Sequence, residues 1–253
     1  MVKAYMRFCL YFKRSPVPAD SNTVLAYATF LARSLSPNSI PSYMNIIKLM
    51  HLEKGYPSPL KNWELNAVTR GIQRRLGSPP KQKLPITIDL LTKIFAQLDL
   101  HLSEHKAFWA ACLIAFFAFL RKSTLLPKSD STKKKALCIK DVSLNKSMLV
   151  LHIRHTKIIQ FGQRRLDIPV NAIPGLILCP VSAMARVLSE MQPGSVSANQ
   201  PLFSYTNVKG KTNYLNHSSF VSLLKTVLCK CSVNTNDYSG HSFRIGGCSY
   251  AFS

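Results

Sequence analysis

The reading of this chain turns on Gly240-His241-Ser242-Phe243-Arg244-Ile245-Gly246-Gly247. In a helix, His241 and Arg244 stand at i and i+3, so both polar heads face one way. Far upstream, Ala115-Phe116-Phe117-Ala118-Phe119-Leu120 runs into Arg121-Lys122-Ser123. Between the two lies Arg154-His155-Thr156-Lys157-Ile158-Ile159-Gln160-Phe161, which reads as a hairpin. Taken singly, none of these is unusual. An arginine can end an apolar helix and meet its last carbonyls. His-x-x-Arg can open a solvated helix, and a hairpin lysine can sit on a surface. Their order along the chain carries the information.

Arginine, lysine, then His-x-x-Arg suits chemistry on a phosphodiester. The reacting phosphorus gathers negative charge that fixed cations must neutralise. Two arginines fit that task, each a planar fork of donors that stays charged. A lysine or histidine can move protons on and off the attacking and leaving oxygens.

Composition points to the same class of partner. The chain has 253 residues, with 33 Lys+Arg against 11 Asp+Glu and a formal net charge of +22. A folded chain this basic favours a polyanion, nucleic acid first and an acidic membrane surface second. Hydrophobic residues make up 47% and charged residues 17%, which excludes a disordered tail and allows one large domain or two smaller ones. The seven cysteines (9, 112, 138, 179, 229, 231 and 248) form no Cys-x-x-Cys pair and read as reduced thiols of an intracellular protein. Cys229, Cys231 and His241 are poorly spaced for zinc, so no metal and no cofactor is expected. The longest apolar stretch, Ala107 to Leu120, is too short to span a membrane. The N-terminus is interrupted by Lys3 and Arg7 and lacks a signal peptide's core. Lys133-Lys134-Lys135 is a weak nuclear-targeting candidate, and a solvated loop is the simpler reading.

The pattern predicts a mainly α fold with a small β-sheet, an α+β arrangement. Residues 1–76 read as four helices, the second capped by Asp20-Ser21-Asn22 and the third opened by Ser36 as N-cap with Pro37 at its first position. The fourth, from Asn62 to Leu76, ends in the basic stripe Arg70, Arg74 and Arg75. Residues 77–86 carry a glycine and three prolines and read as a linker. Residues 87–253 form the second domain. A helix from Thr87 to Leu98 precedes an all-round apolar helix from Glu104 to Arg121 that belongs in a core. Leu137-Cys138-Ile139, 148–154 and 165–170 read as strands, the last two as a hairpin. Helices resume at Pro180–Met191, Leu215–Cys231 and His241.

Phe-Leu-Arg-Lys-Ser (119–123), Lys-Leu-Pro-Ile-Thr (83–87), Thr-Lys-Ile-Ile-Gln-Phe (156–161) and His-Ser-Phe-Arg-Ile-Gly-Gly (241–247) resemble the tyrosine recombinase (phage integrase) superfamily, and most of all the DIRS and Crypton recombinases of mobile elements. The resemblance covers essentially the whole chain. It implies a helical, SAM-like core-binding domain that clamps double-stranded DNA, followed by a catalytic domain. It implies that Arg121 and Arg244 clamp the phosphate, Lys157 protonates the leaving 5′ oxygen, and His241 positions the phosphate and exchanges the nucleophile's proton. Lys48, Lys54, Lys61, Arg70, Arg74, Arg75, Lys81 and Lys83 are the candidates for salt-sensitive phosphate contacts. The family breaks and rejoins strands through a 3′-phosphotyrosine, without a cofactor, on a homotetramer.

This chain departs from the family's pattern in two places. Thr124 stands where many members have an acidic residue. The family's next His or Trp and its tyrosine would fall past Ser253, so the catalytic domain reads as lacking its last helices, and the chain as binding DNA without cleaving it. Tyr250 follows Arg244 too closely, and Tyr205, Tyr214 and Tyr238 precede the motif. The alternative is a domesticated, non-catalytic DNA-binding protein. The expected compartment is intracellular, the nucleus in a eukaryote.

Overall fold

A computed structural model describes residues 1–79, 82–155, 164–191, 197–207 and 209–252. The chain divides into two compact units, Met1–Lys81 and Gln82–Ser253. It is mainly α with small antiparallel sheets.

The first unit holds helices α1 (Val2–Tyr11), α2 (Ser21–Ala32), α3 (Ile40–Glu53) and α4 (Trp63–Leu76). Their apolar faces bury Tyr5, Phe8, Val24, Tyr27, Ile47 and Leu65. The starts of α2 and α4 are fixed by Asp20, whose carboxylate accepts from the Thr23 N–H at 2.6 Å, and by Asn62, which accepts from the Leu65 N–H at 2.6 Å. Ser36 opens a short 3₁₀ turn, Pro37–Ser39, ahead of α3, and its side chain caps nothing. Two prolines, Pro37 and Pro41, frame this entry. Buried His51 ties the unit together, accepting at Nε2 from the Ala19 N–H (2.9 Å) and facing the Ile47 carbonyl through Nδ1 (2.8 Å). The proton therefore sits on Nδ1.

The second unit is built around α6 (Ser103–Phe117), buried along nearly its whole length. Before it lies α5 (Ile88–Ala96), whose Thr87 hydroxyl accepts from the Leu90 N–H. After it comes the four-residue α7 (Lys122–Leu125). Strands β1 (Val142–Leu144), β2 (Met148–Ile153) and β3 (Leu166–Asn171) form an antiparallel meander, with Leu151 paired to both Val142 and Ile168. Leu149, Leu151 and Ile153 point into the core, the period-2 alternation of a half-buried strand. Helix α8 (Pro180–Ser189) packs on α6. The hairpin β4 (Ser204–Thr206) and β5 (Thr212–Tyr214), then α9 (His217–Lys230) and α10 (Ser242–Ala251), complete the unit.

The expected strand at 137–139 is instead a single bridge, Cys138 to Pro201, leading into a 3₁₀ turn. Asp141 causes this, because its carboxylate accepts from the Cys138 N–H at 3.0 Å and closes the turn. The apolar helix stops at Phe117, not at Arg121. Phe119 adopts φ +53°, and the chain turns a corner before α7 starts.

Helix α10 docks through glycine. A Cβ on Gly246 would lie 1.8 Å from the Ile86 carbonyl oxygen, and one on Gly247 2.0 Å from that of Phe116. Only a residue without a side chain lets the helix this close to two other main chains. Residues 83–86 strap the same region. The Lys83 ammonium donates to the Asn236 carbonyl, the Leu84 N–H to Asp237 (2.8 Å) and the Ile86 N–H to Ser242 (3.0 Å). Gly247→Ala is expected to lower stability by about 2 kcal/mol or more through overpacking. Gly71→Ala, in open space within α4, should raise it by about 0.5–1 kcal/mol. Urea unfolding of both variants checks this, and an unchanged midpoint for Gly247→Ala would contradict the docking.

Candidate active site

Arg121 lies just past the corner, as the N-cap of α7, and is exposed. Its carbonyl accepts from the Thr124 and Leu125 N–H groups, so the main chain is held while the guanidinium projects outward. His241 is the N-cap of α10 and exposed, and Arg244 is half-buried in its first turn. Three contacts bring that turn to the Arg121 corner. Gly247 abuts Phe116, a Cβ on Gly247 would lie 3.0 Å from the Phe119 ring, and one on Gly240 would lie 3.0 Å from Lys122 Cδ. Among the described residues, neither arginine has a carboxylate partner. The corner therefore gathers cations that the described residues leave without a carboxylate.

Lys157 falls in residues 156–163, outside the described residues, but the strands leading to it are well defined. On the outer face His152 bridges Ser143 (2.8 Å) and Asp167 (2.8 Å), and Arg165 adds a second contact to Asp167. At the end of β2, Arg154 Nε meets Asp141 Oδ1 at 3.0 Å. Asp141 is only 5% exposed. With Thr124, Arg154 and His155 it lines a cavity of about 150 Å³. A carboxylate thus does lie beside Thr124, contributed by another part of the chain.

Two residues at the corner were not singled out from the sequence. Lys122 is half-buried, and burial lowers its pKa below the usual ammonium value. His217, the first residue of α9, packs beside it. Burial, then the charge of Lys122, holds the imidazole below its ordinary value near 6.5. The ring lies near the main chain of Leu126 and Lys122, yet its Nε2 is shut off from solvent without a well-aligned hydrogen bond. The sequence signal for Lys122 was its place directly after Arg121. His217 had none, since only the fold carries it there.

The tyrosines of this unit have other roles. Tyr205 donates to Glu104 at 3.0 Å, and burial together with that carboxylate pushes its pKa up to about 12. Tyr214 donates to Asp130 at 2.5 Å and lies under Lys133. Tyr238 packs against the core. Tyr250 is on α10, six residues beyond Arg244 and so about 120° around the helix, with its ring 6.0 Å from that of Phe116.

In the helical unit Lys48, Lys54, Lys61, Arg70, Arg74 and Arg75 are all exposed. Trp63, Asn66, Arg70 and Arg74 share one face of α4. Lys83 is half-buried and engaged with Asn236, and Lys81 lies outside the described residues. Among the described residues, no cluster of His, Cys, Asp and Glu could hold a metal, and no helix is long and apolar enough to cross a membrane.

The fold is that of solved site-specific recombinases and transposon integrases. In sequence the chain is 23% identical over 246 residues to an integrase/recombinase XerD homolog of Selenomonas ruminantium, covering 94% of this chain and 67% of that protein. In structure it is similar to the XerH site-specific recombinase bound to its palindromic difH substrate (TM-score 0.57, 13% identity, 99% of this chain and 65% of that one). It is also similar to the Tn1549 transposon integrase bound to transposon right-end DNA (TM-score 0.60, 14% identity, 98% and 80%). The chain thus spans about two thirds of the XerD homolog and of XerH. No family model matches it.

The His217 shift has a definite sign. Its folded pKa lies below the unfolded value, so unfolded chains bind the proton more readily. The stability it contributes is present above pH of about 6.5 and is lost as pH falls through the folded value. His217→Gln should therefore flatten the fall in melting temperature between neutral and mildly acidic pH. Identical slopes for variant and parent would assign the acid sensitivity elsewhere.

Proposed function

We propose that this chain binds double-stranded DNA and supplies the phosphate clamp of a strand-exchange recombinase of the mobile-element kind. The reading is carried by one observation: through Gly246 and Gly247 the helix that bears His241 and Arg244 docks against the corner that leads into Arg121, and among the described residues neither arginine has a carboxylate partner. Arg121 and Arg244 hold the non-bridging oxygens of the scissile phosphate. His241 exchanges a proton with the attacking oxygen, and Lys157 protonates the leaving 5′ oxygen. The basic face of α4 and the lysines of α3 add phosphate contacts that set affinity but read no sequence. Support also comes from XerH and the Tn1549 integrase, both solved on DNA.

No tyrosine of the described catalytic unit is assigned the attack. Tyr205 and Tyr214 are tied to carboxylates, Tyr238 is packed against the core, and Tyr250 is turned about the helix away from Arg244. The chain as it stands is therefore expected to bind DNA without forming a covalent adduct. That feature also suits a second reading, a DNA-binding protein that has given up catalysis.

A nicked duplex substrate tests this. Incubation with the chain should give a salt-sensitive complex and no protein–DNA adduct on a denaturing gel. An adduct mapped to Tyr205, Tyr214, Tyr238 or Tyr250 would overturn the assignment. Where a tyrosine nucleophile is supplied, in cis or in trans, Arg121→Ala or Arg244→Ala should cut cleavage about a hundredfold or more while weakening binding only modestly. Undiminished cleavage in either variant would refute the site.

A further inference from the structure

We propose that Lys122 is a further phosphate-binding residue of this site, its ammonium contacting the DNA backbone beside the phosphate held by Arg121 and Arg244. The inference rests on the reading above and adds to it a cation from a residue to which the sequence motifs gave no role.

The stem of Lys122 lies flat on Gly240. A Cβ there would be 3.0 Å from Lys122 Cδ, 3.3 Å from its Cβ and 3.5 Å from its Cγ. Any other residue at 240 would push the lysine aside. Nearby is His217, close enough to feel the charge of Lys122. Lys122 thus touches or faces three parts of the site: it follows Arg121, it covers the residue before His241, and it adjoins the start of α9.

Among the described residues, no carboxylate pairs with Lys122. The ion pairs among the described residues involve Lys106, Lys133, His152, Arg154 and Arg165, and none involves Lys122. Arg121 precedes it in the chain, and His217, which also feels Lys128, lies near it. A half-buried ammonium among other cations has lost part of its hydration and gained nothing in return. The depressed pKa of Lys122 records that cost. An anion from outside the chain removes it, and a DNA phosphate is the anion this corner is arranged to meet. A structural lysine would instead extend its charge into solvent or pair with a carboxylate.

Lys122→Met separates charge from packing, because methionine keeps an unbranched stem against Gly240 and removes the ammonium. Binding of a mixed-sequence 30-base-pair duplex, followed by anisotropy across a potassium chloride series, gives the slope of log K against log salt. The expected result is a slope shallower by about one for Lys122→Met, with Lys122→Arg close to the parent. If Lys122→Met matches the parent in slope and affinity while Arg121→Ala and Arg244→Ala flatten the slope, the lysine only packs, and this proposal falls alone. If those arginine variants also match the parent, the recombinase reading falls with it. A brief amine-acylation pulse on the unaltered protein, read by mass spectrometry, covers a variant that fails to fold. Saturating duplex should protect Lys122 severalfold, and equal labelling with and without DNA would overturn the contact.

Discussion

Everything distinctive about the second unit depends on two glycines having no side chains. Gly246 and Gly247 let α10 approach the carbonyls of Ile86 and Phe116 to distances that any Cβ would forbid. The docking is helix against main chain, so it fixes α10 in rotation as well as in position. Once that rotation is set, Phe243 is driven into the core and Arg244, its neighbour, is carried to the rim. His241 follows at the helix start. A helix packed through long side chains would have more freedom to slide, and a phosphate clamp split between distant segments would not keep its geometry.

Charge is distributed to the same end. The chain has only 11 carboxylate side chains against 33 lysines and arginines. Those in the second unit that form pairs do so with other partners: Asp141, beside Thr124, with Arg154, Asp167 with Arg165 and His152, Glu190 with Lys106, Asp130 with Lys133. Among the described residues, Arg121, Lys122, Arg244 and His241 receive none. A cluster of cations left without a carboxylate is a surface that favours a polyanion. Thr124 belongs to this pattern. A carboxylate at that position would stand beside Asp141 in a cavity of about 150 Å³, where two like charges are costly. One buried acid, already held by the Cys138 N–H and Arg154, occupies the space.

Much of this was legible in the sequence, for identifiable reasons. Asp20, Asn62 and Thr87 marked helix starts because a short polar side chain can satisfy an otherwise orphaned N–H. Strand β2 was legible from its alternation, and α6 from apolarity on every face. The short strands β1, β4 and β5 were missed, since three residues give no usable period and their pairing is decided at a distance. The end of α6 was misplaced because nothing in Phe117-Ala118-Phe119-Leu120 breaks a helix locally. Tertiary contact does so instead. The motif residues Arg121, His241 and Arg244 were found by order and spacing, whereas His217 and Asp141 reach the site only through folding.

The corner before Arg121 shows how that tertiary contact acts. Phe119 sits at φ +53°, a left-handed conformation that costs a residue with a bulky side chain roughly 1–3 kcal/mol. A glycine there would adopt it freely, but it would also leave the corner loose and offer no ring to α10. Phenylalanine accepts the strained backbone and places its ring within 3.0 Å of where a Cβ of Gly247 would be, so α10 holds the corner and the corner holds α10. The two halves of the proposed clamp are thereby coupled through a contact that involves neither arginine. Charged groups stabilise a developing phosphorane only insofar as they need not reorganise when it forms. On that argument it is the packing of the Phe119 ring against Gly247, which offsets the strain, that would hold Arg121 in place relative to Arg244 in the proposed clamp.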